Sequence, residues 1–257
     1  MKLGDFTLLA ESYKNRTGYS EVVLNIILAY IEKKLGTCGK VADVGAGTGK
    51  LTENLVQIGM TGYAVEPNDA MRSVGMEVFK DKSQFIWSKG TAEMTQLPDN
   101  SVDWVLMGSS FHWTDAPVAL KEFHRILKPG GFFTAIWNPR DIEKSPWHME
   151  IENMIKEMVP NLKRVSSGSR MNMHDMEEKL LSTEYFTDLF LIEGAHEAVM
   201  TKERYMGAWR SVNDIQAQAG EQVFEQIMNQ IEEKIGTKTE IVVPYVSRAF
   251  TVQSTKK

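Results

Sequence analysis

Three glycines at alternate positions, Gly45, Gly47 and Gly49, are the residues of this chain that most clearly predict a binding site. A short and mainly apolar run, 41–44, comes before them, and apolar residues at helical spacing follow from Leu51. This pattern predicts a buried parallel strand, a glycine turn and a helix. Such a turn brings backbone N–H groups and a helix N-terminus against a small ligand, so the segment predicts a nucleotide-type site.

Two well-known glycine motifs do not fit this segment. A P-loop, G-x-x-x-x-G-K-[ST], would need glycine at Val44 and a hydroxyl residue at Leu51. The dinucleotide motif G-x-G-x-x-G needs glycine or alanine where Lys50 stands. The sequence therefore argues against an NTPase. The acid before the turn, Asp43, suits a cationic ligand better than a pyrophosphate.

A second acidic residue, Glu66, ends the mainly apolar run 62–66 and lies nineteen residues after Gly47 in the glycine turn. A carboxylate at this spacing can accept hydrogen bonds from both hydroxyls of a ribose. Together with the Asp43-x-Gly-x-Gly-x-Gly motif, it makes the chain resemble the class I S-adenosylmethionine-dependent methyltransferases. The resemblance implies that Asp43 and the glycines hold the methionine end of the cofactor and that Glu66 holds the ribose.

Further motifs of that family follow in order, over roughly residues 5–140. The segment 90–93 resembles the loop that lines the adenine, and 122–131 resembles the helix and turn before the fifth strand. Relatives often carry aspartate where Thr91 stands, so either the Thr91 hydroxyl or Glu93 can accept from the adenine amino group. The resemblance implies S-adenosyl-L-methionine as the cofactor, with contacts from Tyr13, Arg16, Asp43, Gly45, Ala46, Gly47, Thr48, Gly49, Glu66, Pro67, Thr91, Ala92, Glu93 and Ser109.

The segment after the fourth predicted strand, 108–115, lies where the methyl group of the cofactor is expected. Its His-Trp-Thr-Asp stretch resembles small-molecule methyltransferases similar to trans-aconitate methyltransferase. His112 is the candidate general base, because the usual pKa of histidine lies nearest neutrality. The alternative is that His112 orients the loop and Trp113 is a packing wall. A base is needed only if the acceptor atom is protonated.

The N-terminal segment 10–20 resembles the same small-molecule branch, with Thr17 and Ser20 in place of two prolines. The resemblance implies that this segment folds over the cofactor. Arg16 would then pair with the methionine carboxylate, and Tyr13 would close the site. An ordinary basic residue before a helix is the alternative for Arg16.

Aromatic residues are the candidates for the wall of the acceptor pocket. Asn138 and Arg140 follow the fifth predicted strand and are expected to border the same pocket. A purely structural role is the alternative for each of these residues. The predicted substrate contacts are Trp113, Trp137, Trp147, Trp209 and Tyr245.

Strand and helix patterns alternate between residues 40 and 137. Strands are predicted near 40–45, 62–66, 84–88, 102–107 and 131–137, and helices near 50–58, 69–79 and 115–127. Alternation of this kind, with the resemblance, predicts an α/β fold: a Rossmann-like, doubly wound, mostly parallel seven-stranded sheet with helices on both faces. Ligands are then expected beyond the carboxyl ends of the strands.

The regular alternation stops after Trp137, where several prolines and a polar stretch follow. We predict a cofactor-binding core with an N-terminal cover segment at 1–137. A helical lid, inserted after the fifth strand and containing helices near 146–159 and 172–182, is predicted at 138–184. Residues 185–257 are predicted to complete the core sheet, with added helices near 202–211 and 219–235.

Composition excludes several other classes. The net charge of −5 argues against a nucleic-acid partner, which would select for a basic face. The single cysteine, Cys38, excludes an intramolecular disulfide and a cysteine-based zinc site, and no metal is predicted. The sequence has no secretory pattern and no stretch of about 20 apolar residues, which predicts a cytoplasmic protein without a membrane partner. The oligomeric state is left open.

The sequence thus predicts methyl transfer from S-adenosyl-L-methionine to a small-molecule acceptor, with the acceptor atom open among O, N, S and C. A first alternative is a regulatory or partner subunit that binds the cofactor without turnover. A second alternative is an NAD-dependent oxidoreductase, which Lys50 and the lack of a second mononucleotide-binding half disfavour.

Overall fold

The computed structural model describes residues 4–164 and 173–257, and this part of the chain forms a seven-stranded sheet. Its strands are β1 (Val41–Val44), β2 (Gly62–Val65), β3 (Phe85–Ser88), β4 (Val102–Gly108), β5 (Leu127–Trp137), β6 (Phe186–Thr201) and β7 (Glu240–Ser254). Their order is β3-β2-β1-β4-β5-β7-β6. Strands β1 to β5 are parallel, and β7 pairs antiparallel with both β5 and β6. The order reverses between β1 and β4, which is where such sheets bind ligands.

Helices cover both faces of the sheet. They are α1 (Ala10–Tyr13), α2 (Glu21–Leu35), α3 (Lys50–Gln57), α4 (Asp69–Val78), α5 (Ala116–Ile126), α6 (Pro146–Met158), α7 (Met173–Leu180), α8 (Lys202–Arg210) and α9 (Asn213–Ile235). Side chains of Ser20, Asn68 and Asp115 accept a backbone hydrogen bond at the start of α2, α4 and α5, respectively. The predicted fold class is confirmed.

Two apolar clusters hold the helices against the sheet. On one face, Leu24, Ile27 and Ile31 of α2 are fully buried with Trp104 of β4. Each of these aliphatic side chains stabilises the fold by roughly 1.5–3 kcal/mol relative to an exposed one. The other face buries α5 and α7, with Phe123 as one of its central residues.

A third apolar cluster lies beyond the sheet and joins α6, α8 and α9 to the outer ends of β6 and β7. We call this unit the cap. Its centre contains Ile151, Tyr205, Trp209 and Ile227, all of which are buried. By contrast, α7 packs on α5 and β6, with the sheet. The predicted division at 138 and 184 stays a prediction, and 165–172 of that segment lies outside the described residues.

Two local expectations agree with the structure. The helix predicted at 219–235 follows a break at Gly220, whose φ is 75° and which separates it from a helical segment that begins at Asn213. Pro244 was expected at a sheet edge or a bulge, and it lies where β7 pairs with β6 alone, because the pairing of β7 with β5 ends at Arg248. Proline is accommodated there because its carbonyl faces away from β6 and accepts from the Asp141 N–H, so no ladder donor is lost on the β6 side.

None of the helices in the described ranges combines the length and the apolar character needed to cross a bilayer.

Candidate active site

Two cavities open beside the carboxyl ends of β1, β2, β4 and β5. The first, which we call the glycine-loop cavity, has a volume of about 290 Å³. The second, which we call the arginine cavity, has a volume of about 160 Å³ and reaches towards the cap. Tyr13 and Ser109 line both. A ligand in one cavity can therefore approach a ligand in the other at these two residues.

The loop between β1 and α3 is built by backbone hydrogen bonds. The N–H groups of Gly45 and Ala46 both donate to the carbonyl of Val65, at 2.8 and 3.1 Å, which joins this loop to the end of β2. The φ angles of Gly45 and Gly47 are 70° and 60°, a region that other residues rarely adopt. A Cβ on Gly45 would also lie 2.8 Å from Oγ of Ser110. Both glycines line the cavity, and their lack of a side chain leaves its floor open.

Glu66 connects this loop to the next one. Its Oε2 accepts from the Gly47 N–H at 2.8 Å, and its Oε1 accepts from the Asn68 N–H at 2.8 Å. Burial raises the pKa of this carboxyl above its usual value, while the two backbone donors lower it. Each carboxylate oxygen can accept more than one hydrogen bond, and Glu66 lines the cavity. This arrangement can accept hydrogen bonds from a ligand's hydroxyl groups.

Asp43 supports the loop from behind. It is fully buried and absent from the walls of both cavities. Its Oδ2 accepts from the Thr52 hydroxyl at 2.6 Å, whereas Oδ1 is buried with no partner among the described residues. Burial raises the pKa of this carboxyl to about 7, and the Glu66 charge adds to the rise. Asp43 thus faces α3 through Thr52, and its direct contact with a ligand stays a prediction.

The other predicted cofactor contacts divide in the same way. Ala46, Thr48 and Gly49 lie in the loop but on neither cavity wall. Thr91 and Glu93 line the glycine-loop cavity, where Thr91 Oγ1 accepts from the Met94 N–H and Glu93 Oε1 accepts from the Asp115 N–H. Pro67, Ala92 and Ser109 line this cavity as well.

The N-terminal segment lines the glycine-loop cavity through Gly4, Phe6 and Tyr13. Gly4 donates to Oδ1 of Asn213 at 2.8 Å, and Nδ2 of Asn213 donates to the carbonyl of Asp5 at 2.9 Å. Phe6 contacts the rings of Tyr13 and Trp113 edge-on. The segment is thus attached to the cap at the start of α9 and forms one wall of the cavity.

Arg16 gives this cover segment a second attachment. Its Nε donates to Oγ of Ser211 at 2.8 Å, and its Nη2 donates to the carbonyl of the same residue at 2.9 Å. The guanidinium also lies 4.2 Å from the centroid of the Tyr13 ring. Arg16 lines the arginine cavity and not the glycine-loop cavity.

Basic side chains dominate the arginine cavity. Arg164 donates to both carboxylate oxygens of Glu152, at 3.0 and 2.8 Å, and lies 3.4 Å from Oδ2 of Asp214. Arg140 instead stacks on Trp209, with 3.9 Å between the guanidinium carbon and the ring centroid. The basic residues of the wall are Arg16, Lys50, Arg140 and Arg164, and its acidic residue is Glu152.

The sequence did not identify Glu152 and Arg164 as site residues. One signal was present: Glu152 shares the buried face of α6 with His148, Ile151 and Ile155, at helical spacing. A carboxylate in such a stripe needs a basic partner. The partner, Arg164, lies 12 residues further along the chain, beyond the end of α6. This spacing does not reveal the contact.

The side chain of His112 contacts the indole of Trp137. Its Nδ1 accepts from Nε1–H of Trp137 at 3.3 Å, and because the indole can only donate, the neutral imidazole carries its proton on Nε2. Burial, together with the nearby Lys179, lowers the pKa of His112 to about 4. The ring lines neither cavity. These contacts favour the alternative, a residue that orients the loop, and the role of His112 as a catalytic base stays a prediction.

The aromatic candidates separate into three groups. Trp113 lines the glycine-loop cavity, and Tyr245 lines the arginine cavity, where it stacks on His196. Trp209 lies beneath Arg140. Trp137 is fully buried against His112, and Trp147 packs against Tyr205 in the cap, so neither lines a cavity and the substrate contacts of these two residues stay predictions.

No three His, Cys, Asp or Glu side chains in the described ranges gather as they would around a metal ion.

Comparisons with known proteins agree with this geometry. Residues 42–135 match the family described as "Methyltransferase domain". The chain is 42% identical over 116 residues to an uncharacterised methyltransferase of Mycobacterium tuberculosis. These residues make up 45% of this chain and 46% of the relative, so the match spans about half the length of each.

Two more distant relatives extend the comparison along the chain. An uncharacterised methyltransferase of Schizosaccharomyces pombe is 27% identical over 195 residues, which cover 73% of this chain and 71% of that relative. A solved structure of a proposed type II methyltransferase from Anaeromyxobacter dehalogenans superposes with a TM-score of 0.64, at 17% identity, over 92% of this chain and 97% of the other. At this identity, the similarity shows a shared fold.

Proposed function

We propose that the chain transfers a methyl group from S-adenosyl-L-methionine to a small-molecule acceptor, because residues 42–135 match the methyltransferase domain family and the chain shares its fold with a solved methyltransferase structure. One observation carries the proposal: the glycine-loop cavity and the arginine cavity meet at Tyr13 and Ser109. The first cavity would hold the cofactor, and the second would hold the acceptor.

The glycine-loop cavity fits the cofactor chemically. Gly45 and Gly47 leave a floor that a Cβ would fill, and Glu66 turns carboxylate oxygens towards the cavity, where ribose hydroxyls can donate to them. Thr91, Ala92 and Glu93 would border the adenine. When bound, the cofactor supplies an electrophilic methyl group on a positively charged sulfur.

Methyl transfer of this kind asks the protein mainly to position two reactants and to exclude water. The N-terminal segment covers the cofactor side through Phe6 and Tyr13. Ser109 fixes the junction, since its Oγ lies 3.0 Å from the Tyr19 hydroxyl and its N–H donates to the carbonyl of Ile136. Burial raises the pKa of Tyr19 far above its usual value, so this hydroxyl stays protonated at neutral pH. We assign Tyr19 and Ser109 to positioning.

The cofactor assignment is tested by calorimetry with S-adenosylhomocysteine and S-adenosyl-L-methionine. Glu66→Ala should weaken binding of both at least tenfold, because the ribose loses its acceptors and the glycine loop loses a support. Glu77→Ala, which changes an exposed carboxylate on α4, is the matched control and should bind like the parent. Equal affinity of Glu66→Ala and parent would show that the ribose assignment is wrong.

Turnover is tested with isotopically labelled S-adenosyl-L-methionine and metabolite extracts, followed by mass spectrometry. A labelled small molecule is expected only when active protein is present. Cofactor binding without a labelled product from broad extracts would favour a binding subunit, and nicotinamide binding in place of S-adenosylhomocysteine binding would favour the oxidoreductase.

A further inference from the structure

We infer that the arginine cavity recognises an anionic group, a carboxylate or a phosphate, on the acceptor and that Arg140 is the residue that binds it. The inference rests on the proposed function in one respect, because it takes the arginine cavity as the acceptor site. It adds a chemical class for the acceptor and a residue that selects it.

The charge balance of the cavity is the first argument. Four basic side chains face it and one acidic side chain does, although the chain as a whole has a net charge of −5. Arg164 is compensated by Glu152 and Asp214, and Lys50 lies 3.4 Å from Glu53. The remaining excess of positive charge lies on Arg16 and Arg140, which favours a ligand of negative charge.

The environment of Arg140 is the second argument. Within 4–164 and 173–257, no carboxylate forms an ion pair with it, and the Tyr245 hydroxyl is one of the polar groups beside it. Tyr205, Tyr245, Glu152 and His148 are the titratable groups near it, and Glu152 already accepts two hydrogen bonds from Arg164. Arg140 is half-buried, and a partly desolvated guanidinium without a counterion carries a cost that an incoming anion would relieve.

The position of the guanidinium is the third argument. Trp209 lies 3.9 Å below it and Tyr205 lies 5.8 Å away, so the plane is held by stacking on one side. A guanidinium held in this way keeps its N–H edge available for a bidentate hydrogen bond to a carboxylate or a phosphate. A short antiparallel bridge between Arg140 and Tyr245 fixes the backbone of both residues at the end of β5.

The cavity provides a further donor and limits the size of the ligand. The Thr17 hydroxyl, on the wall, is buried with no partner in the described part of the chain. The volume of about 160 Å³ resembles a cavity that accepts benzene, roughly 150 Å³. A single-ring carboxylate, a short dicarboxylate or a small phosphate ester would fit, with its methylated atom towards Ser109.

The methionine carboxylate of the cofactor is a second anionic group that Arg140 could bind in place of the acceptor. Arg16, which lies in the cover segment beside Tyr13, remains the residue that the sequence resemblance assigns to that carboxylate. Arg140 lies instead on the cap side of the same cavity, against Trp209 and Tyr245. The test must therefore separate an effect on the cofactor from an effect on the acceptor.

The experiment uses the full chain saturated with S-adenosylhomocysteine and three probes that share a phenyl ring: benzoate, its neutral isostere benzamide, and phenyl phosphate. Binding is measured by calorimetry and by ligand-observed NMR. In the parent, at least one of the two anions should bind at least tenfold more tightly than the neutral amide, and Arg140→Gln should remove this preference. Arg140→Lys keeps the positive charge but loses the paired N–H donors of the guanidinium, so it should retain part of the anion preference.

Arg210→Gln is the matched control, because Arg210 is exposed on α8 and pairs with Glu225. It should bind all probes like the parent. Circular dichroism and thermal unfolding of Arg140→Gln and Arg140→Lys identify a folding defect, and the Lys variant keeps the test valid if the Gln variant is unstable.

Three results would overturn the inference: equal binding of the amide and both anions to the parent, unchanged anion preference in Arg140→Gln, or a loss of S-adenosylhomocysteine affinity in that variant as large as the loss for the anions. The last result would assign Arg140 to the cofactor. If the parent itself does not bind S-adenosylhomocysteine, the proposed function fails. The anion preference can still be measured without it, so the two failures are distinguishable.

Discussion

At the scale of single residues, the carboxyl groups of Asp43 and Glu66 show how burial directs function. Both lie at the ends of adjacent parallel strands, and both are less than a tenth exposed. Glu66 keeps its oxygens near backbone donors on the cavity wall, whereas Asp43 faces α3 through Thr52. We therefore expect Glu66 to act on the ligand and Asp43 to act on stability.

Asp43→Asn should reduce the pH dependence of stability in the absence of cofactor. The folded-state pKa of Asp43 is raised to about 7, so between pH 5 and pH 7 the folded chain holds a proton that the unfolded chain has lost. The parent should therefore lose stability as the pH rises from 5 to 8. We expect this loss to exceed that of Asp43→Asn by on the order of 2 kcal/mol. Urea unfolding at both pH values measures it.

Asp81→Asn, at an exposed position, is the control and should follow the parent. If Asp43→Asn and the parent lose equal stability over this range, Asp43 does not titrate near neutrality in the folded state.

At the scale of elements, the cover segment is held by the junction between α8 and α9. Ser211 and Asn213, on the two sides of that junction, bind Arg16 and the backbone of Gly4 and Asp5. In the described residues 4–20, the segment contains two short helical turns, a 3₁₀ turn at Thr7–Leu9 and α1, so we expect its position to depend on these attachments more than on its own packing.

Asn213→Ala should loosen the cover segment and leave the sheet intact. It removes the two hydrogen bonds to Gly4 and Asp5, each worth about 1 kcal/mol. Hydrogen exchange should increase at 5–13, and S-adenosylhomocysteine affinity should fall about fivefold. The control, Asn229→Ala, changes an exposed residue on the same helix. Unchanged exchange in the segment would show that the attachment at Asn213 is dispensable.

The sequence predicted the elements whose signals are local. The strand ends at Gly45 and Glu66 followed from apolar runs that stop at turn residues, and the helix cap at Ser20 followed from residue type. The role of His112 could not be read in this way, because it depends on the Trp137 indole, which lies on another strand. The pairing of Arg164 with Glu152 and the stacking of Arg140 on Trp209 likewise depend on how the cap folds back.

At the scale of the whole molecule, the cap and the sheet have separate apolar centres that share two strands. The third apolar cluster lies in the cap, while β6 and β7 continue from it into the sheet. The arginine cavity lies between these two parts, since its wall includes Ala208 and Val212 of the cap and Asn138 after β5. Acceptor recognition should therefore depend on the cap, and cofactor binding on the sheet.

Ile227→Ala and Ile31→Ala form a matched pair that tests this division. Both side chains are fully buried, one in the cap and one under the sheet, so each truncation should cost about 2–5 kcal/mol of unfolding free energy. Hydrogen exchange of Ile227→Ala should increase mainly in α6, α8 and α9, and that of Ile31→Ala mainly in α2 and the sheet. Identical exchange patterns would show that the molecule opens as one unit.

The cover segment has a kinetic consequence. Because Phe6 and Tyr13 line one side of the glycine-loop cavity, we expect movement of this wall to speed the departure of spent cofactor. The wall is attached at Ser211 and Asn213, in the part of the cap that borders the arginine cavity, so acceptor occupancy and the rate of cofactor exchange should be linked. We expect turnover to be limited by this opening rather than by the transfer itself, and pre-steady-state kinetics would then show a burst of methylated product.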